Sequence, residues 1–149
     1  MRHSINICVL LALWLSNPAQ AKEMISGPVQ AEVVKVIDGD TIRVQAHLWL
    51  GLHKTIKVKF NGVQAPELYS PKCDYERGLA EEAKAVTEKA IAGKPVTLIN
   101  IHYGKYSDRV IANVLNHEGV DLNTFLFSEA LAQPTTTGKR MDWCGDGRE

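Results

Sequence analysis

Four short stretches of this 149-residue chain place polar residues where a strand has no need of them. They are Asp38-Gly39-Asp40-Thr41, Lys59, Gln64-Ala65-Pro66-Glu67 and Lys105-Tyr106-Ser107-Asp108-Arg109. Each has an ordinary reading by itself. Asp-Gly-Asp is a common turn, and Glu67 after Pro66 suits a solvated loop. Lys59 suits an exposed strand position, and Arg109 suits a surface ion pair. In combination they carry the parts that phosphodiester hydrolysis needs. That reaction uses a carboxylate to take a proton from water. It uses cations where negative charge builds on the phosphoryl oxygens. It often uses a hard divalent ion held by oxygen ligands. In this reading Glu67 is the base, Arg109 and Lys59 are the cations, and Asp40 anchors the metal.

The elements that must position these groups are legible from periodicity. Residues 32–37 and 41–46 are β-rich runs around Asp-Gly and read as a hairpin. Residues 48–53 form the next turn. Residues 54–63 alternate, with Ile56, Val58 and Phe60 on one face and Lys57, Lys59 and Asn61 on the other, a half-buried third strand. Leu79, Ala80, Ala83, Val86, Ala90 and Ile91 recur at helical spacing after a capping Asp74. Gly93 and Pro95 end that helix. Residues 96–101 and 109–115 read as the fourth and fifth strands. Asp121 caps a shorter helix carrying Leu122, Phe125, Leu126 and Ala130, and the tail from Thr135 reads as polar and irregular. The order predicts an α+β, mainly β fold: a five-stranded barrel of the OB type with two helices.

Seventeen basic against seventeen acidic residues give a formal net charge of zero. Holding nucleic acid by bulk positive charge is thereby excluded, so any such chemistry must be local. Arg2 and His3 precede an apolar run over residues 5–15, followed by Ala19-Gln20-Ala21. This is the layout of a secretory signal peptide cleaved after Ala21. Its apolar part is too short to span a bilayer. One domain over residues 22–149 then remains, secreted or periplasmic, expected to be a monomer without stable membrane insertion. That domain keeps two cysteines, Cys73 and Cys144, and two thiols in an exported chain most often pair. The Leu48-Trp49-Leu50 stretch is expected to fold onto the barrel. Lys139, Arg140 and Arg148 read as a solvated basic tail. The histidines at 47, 53, 102 and 117 follow no ligand spacing.

The motifs Val36-Ile37-Asp38-Gly39-Asp40-Thr41, Gly62-Val63-Gln64-Ala65-Pro66-Glu67, the Glu82-Ala83-Lys84 helix and residues 106–114 occur in an order that resembles the staphylococcal nuclease family. The resemblance runs over residues 33–132. It implies an OB-type barrel, calcium dependence and endonuclease action on DNA and RNA. It implies that Asp40 is the calcium aspartate, Glu67 the catalytic glutamate and Arg109 the second catalytic arginine. Lys105 and Tyr106 fall in the substrate-binding segment. The Cys-Asp segment before the helix and the closing Trp143-Cys144 look like a bacterial branch with one disulfide. This chain departs from the pattern at three places. The first catalytic arginine is Lys59, which keeps the charge but loses the bidentate fork. The second calcium aspartate is Gln64, whose amide oxygen binds calcium without adding charge. The base-stacking aromatic after the second helix is replaced by Pro134 and Thr135. The metal set read this way is Asp40 with Gln64 or the carbonyl of Ala65, and Asp38 as a helper. The departures point to reduced activity. They motivate a second reading, a nuclease-fold module that has lost catalysis and binds nucleic acid or a protein. A third reading is an envelope-interaction protein that uses the apolar 48–52 tip.

Overall fold

The computed structural model describes residues 23–105, 108–135 and 140–145. The expected leader over residues 1–21 and the candidate Tyr106, together with Lys139 and Arg148, lie outside the described residues. In chain order the strands are β1 (Met24–Ile25), β2 (Val29–Asp38), β3 (Thr41–Trp49), β4 (Leu52–Phe60) and β5 (Val63–Gln64). After helix α1 (Asp74–Ile91) come β6 (Val96–Tyr103) and β7 (Arg109–Leu115), then α2 (Leu122–Ser128) and β8 (Gln133–Pro134).

The antiparallel meander β2-β3-β4 pairs through β4 in parallel with β7. β7 runs antiparallel to β6, and β6 antiparallel to β2, which closes a five-stranded barrel. Closure removes the open edges that such strands would otherwise present. The alternation predicted for the third strand holds: Val58 and Phe60 are buried, whereas Lys57 and Lys59 lie outward of them. Ile42, Val44, Leu98, Ala112 and Val114 complete the interior from the other strands. Each large side chain buried in this way contributes on the order of 1.5–3 kcal/mol.

α1 lies against the β2–β3 turn through small residues. A Cβ placed on Gly39 would come within 2.6 Å of the Ala83 Cβ, so the helix approaches the turn as closely as glycine permits. The Thr87 hydroxyl, also buried, donates to the Gly39 carbonyl at 2.6 Å. α2 adds Leu122 and Leu126 to the core beneath it. Asp121 caps α2 as expected, accepting from the Asn123 amide at 2.9 Å.

Four details differ from the sequence-based expectation. The N-cap of α1 is Cys73, whose sulfur accepts from the Glu76 amide at 3.4 Å, and Asp74 is the first helical residue. The helix ends at Ala92 in the left-handed conformation (φ 51°), one residue before Gly93. Ala130 falls beyond α2, at φ 56°. The 48–52 tip does not fold back: Trp49 is 77% and Leu50 92% exposed. The β3–β4 register shifts between His47 and Trp49, at the base of this exposed hairpin end. Among the described residues no helix is long and apolar enough to cross a membrane.

The strained helix end yields a test of local stability. A left-handed backbone disfavours any residue with a Cβ, so Ala92→Gly should raise the unfolding free energy by up to about 1 kcal/mol. Urea denaturation of both proteins measures it, and a variant less stable than the parent would contradict the assigned cap.

Candidate active site

The β2–β3 turn aims Asp40 inward, where it is 3% exposed. An uncompensated carboxylate there would be strongly unfavourable. Asp40 is therefore surrounded by donors. Its Oδ1 accepts from the Thr41 hydroxyl at 2.9 Å. Its Oδ2 accepts from the Lys59 ammonium at 2.7 Å and from the Ala65 amide N–H at 2.8 Å. This one side chain joins the turn, β4 and the segment after β5. Lys59 is thus not a free strand lysine, and Ala65 meets the site through its N–H.

Pro66 follows the buried Ala65 and directs Glu67 out of the core. The Glu67 backbone N–H donates to Glu76 Oε1 at 3.2 Å, and the Lys72 N–H donates to Glu76 Oε2 at 2.7 Å. Glu76, 1% exposed, sits three residues into α1 after its cap and fastens the 67–72 loop to the helix. The expected solvated basic tail is corrected here. Arg140 Nη2 lies 2.6 Å from Glu67 Oε1 and 3.8 Å from Glu76 Oε1. The Met141 N–H donates to Gln64 Oε1 at 3.3 Å. Trp143 is buried, and Cys144 is bonded to Cys73 with their Cα atoms 6.0 Å apart. The expected pairing of the two cysteines is present.

Arg109 opens β7, whose parallel register sets Lys57 opposite Arg109 and Lys59 opposite Ile111. Val58 and Val110 point inward, so Lys59 and Arg109 share the outer face of adjacent strands. Gly104 makes room for the arginine: its amide donates to the Arg109 carbonyl at 3.1 Å, and a Cβ there would meet that oxygen at 3.2 Å. The Lys57 ammonium holds Asp108 at 2.8 Å, and this hydrogen bond keeps the Asp108 carboxyl below its ordinary range. Lys105 is exposed in the same loop.

Sequence reasoning missed Glu76 and Arg140. Glu76 carried a signal, the N-cap to N3 spacing from Cys73 that matches a capping box with sulfur in place of a hydroxyl. Arg140 carried none, because its partner is 73 positions upstream.

The donor chemistry suits a hard cation in one respect. Asp38 and Asp40 flank the same turn, and the Asp40 amide donates to Asp38 Oδ1 at 3.3 Å. Burial, then the Asp40 charge, push the Asp38 carboxyl up from 3.8 to about 6, against smaller opposing effects of Lys59 and Thr41. Crowded carboxylates of this kind gain from a bound cation. Among the described residues no cluster of three or more His, Cys, Asp or Glu gathers, so the remaining oxygens would come from Gln64, the backbone or water.

The chain has recognisable relatives among known proteins. A model of the family described as staphylococcal nuclease homologue matches residues 57–142. A protein of Escherichia coli named "Uncharacterized endonuclease" is 30% identical over 98 residues, 66% of this chain and 56% of that protein. One of the same name from Escherichia coli O157:H7 matches to the same extent. The chain thus spans little more than half the length of the curated relatives it matches.

The raised Asp38 carboxyl has a stability consequence with a definite sign. A folded pKa above the unfolded value favours the protonated fold. That contribution is complete below about 3.8 and is lost as the pH rises through about 6. Asp38→Asn keeps the acceptor and removes the charge. In chelator it should match the parent near the acid end and exceed it above pH 6 by on the order of 2 kcal/mol. Denaturation at a series of pH values checks this, and parallel curves would refute it.

Proposed function

The chain belongs to the staphylococcal nuclease family, and from that premise we propose that it is an exported endonuclease hydrolysing phosphodiester bonds of DNA and RNA. The observation that carries the reading is the Asp40 carboxylate shared by Lys59 and the Ala65 amide, since it gathers the cation, the turn and the approach to Glu67 in one place. The same span of chain, residues 57–142, that matches the family holds Lys59, Gln64, Glu67 and Arg109.

In the proposed reaction the Glu67 carboxylate takes a proton from a water molecule. The water oxygen forms a bond to phosphorus as the bond to the leaving oxygen breaks. The Arg109 guanidinium and the Lys59 ammonium, on one face of neighbouring strands, offset the charge that accumulates on the non-bridging oxygens. Lys105 approaches the substrate backbone from the β6–β7 loop, with Tyr106 the proposed neighbour. Calcium would be held by Asp40 and Asp38, with the Gln64 amide oxygen or the Ala65 carbonyl beside them. Bound there, it would supply positive charge to offset that of the phosphate. Lys59 competes for the same carboxylate, which favours weak calcium binding. Export is supported by the leader-like residues 1–21 and the Cys73–Cys144 disulfide.

The binding-module reading draws support from two observations: Lys59 occupies Asp40, and Arg140 occupies Glu67. Plasmid cleavage with calcium, and with chelator as control, separates the two. Cleavage by the parent protein is expected, and intact plasmid under both conditions would leave only binding.

Glu67→Gln should lower the cleavage rate by about 10²-fold or more, since general bases typically contribute 10²–10⁴. Its thermal melt should be little changed, because Glu67 lies outside the core. Cleavage at the parent rate would remove Glu67 from the role. Gln64→Asp adds a carboxylate beside Asp40 and should tighten calcium binding, as ligand charge sets affinity across decades. Calorimetric titration reads this directly, and equal affinities would show that residue 64 does not face the ion.

A further inference from the structure

The C-terminal segment is fastened to the candidate site at three points. Arg140 reaches Glu67, the Met141 amide reaches Gln64, and Cys144 is bonded to Cys73. The disulfide holds the segment covalently, and the buried Trp143 adds its packing to these three points. The Arg140–Glu67 pair adds little to that attachment, because its side chains are 40% and 35% exposed and ion pairs so exposed stabilise weakly. What the pair does is place a guanidinium against the carboxylate assigned as base.

The site has a shortage that such a group meets. The β4 position nearest Asp40 is a lysine, and its ammonium is engaged with the Asp40 carboxylate at 2.7 Å. A lysine ammonium offers point contacts, whereas a guanidinium offers a planar fork matched to two phosphate oxygens. Arg140 is partly exposed and ends beside Glu67, so a phosphate brought to Glu67 would meet it. We propose, on the nuclease reading above, that Arg140 is a further catalytic residue. It contacts the phosphate in place of the fork that Lys59 lacks, and the Cys73–Cys144 disulfide keeps it there. The disulfide is the covalent tie between this segment and the N-terminus of α1, and the strand pairing that closes the barrel does not run through it, so opening it loosens the hold on Arg140. The inference joins activity to the oxidised state of the chain.

The test uses the oxidised mature protein and four variants: Arg140→Ala, Arg140→Lys, Lys59→Arg and the Arg140→Ala/Lys59→Arg pair. Cleavage of a short single-stranded oligodeoxynucleotide is followed with and without reductant. Binding of the same fluorescein-labelled strand is followed by anisotropy in chelator, and thermal melts are recorded. Arg140→Ala should lower kcat by about 10²-fold, the usual scale for losing one group that stabilises the transition state. Arg140→Lys should recover only part, because charge returns without the fork. Lys59→Arg should recover Arg140→Ala by about tenfold or more, since a guanidinium is restored from the other side. Reductant should slow the parent towards the Arg140→Ala rate and leave Arg140→Ala unchanged. An Arg140→Ala rate equal to the parent overturns the proposal. So does equal slowing of both proteins by reductant, or failure of Lys59→Arg to recover activity, since a purely structural latch behaves in those ways. Should the parent cleave nothing, the nuclease reading falls, and the anisotropy decides for Arg140. Binding weakened by Arg140→Ala and recovered by Lys59→Arg then supports the phosphate contact, and unchanged binding rejects it.

Discussion

A carboxylate buried at 3% exposure governs this architecture. Asp40 must be compensated within the protein, because removing one partner of a buried charge typically destabilises by about 3–5 kcal/mol. Its three donors come from the adjacent residue, from β4 and from the segment after β5. Compensating that charge therefore specifies where three separate pieces of chain meet. The base candidate Glu67 lies two residues beyond one of those donors, so its location follows from the same requirement.

Helix α1 extends the constraint across the molecule. Near its C-terminal half, Ala83 and Thr87 lock onto Gly39, which fixes the turn that presents Asp40. Near its N-terminus, Glu76 takes the backbone N–H groups of Glu67 and Lys72. Both ends of the site are thus referenced to one rigid rod. The disulfide adds the C-terminal segment to that rod at its N-cap. In the chain-entropy picture a loop of this length contributes on the order of 4 kcal/mol. Within this frame the cations are distributed with Lys59 on Asp40 and Arg140 on Glu67.

Much of this was readable in one dimension. The strand over residues 109–115 was readable as a β-rich run and is β7, and Val58 and Phe60 against Lys57 and Lys59 follow from alternation. The Asp-Gly turn and the Asp121 cap are local hydrogen-bonding preferences that tertiary packing did not override. The helix ends were displaced by one residue because a sulfur cap and a left-handed alanine are weak local signals that packing tolerates. The Trp49 tip is exposed against expectation because hydrophobicity alone predicts burial, whereas burial at a hairpin end depends on what the paired strands place beside it.

The sequence by itself determined the barrel, the two helices, the polar segments that meet at Asp40 and the pair of cysteines. These follow from period, caps and residue type, all of which act over a few positions. Only the tertiary structure decided that Lys59 neutralises Asp40, that Glu76 fastens the Glu67 loop and that Arg140 returns to face Glu67. Those contacts join residues 19, 9 and 73 positions apart. Whether such groups meet depends on barrel closure, strand register and the disulfide, and no local preference encodes that outcome.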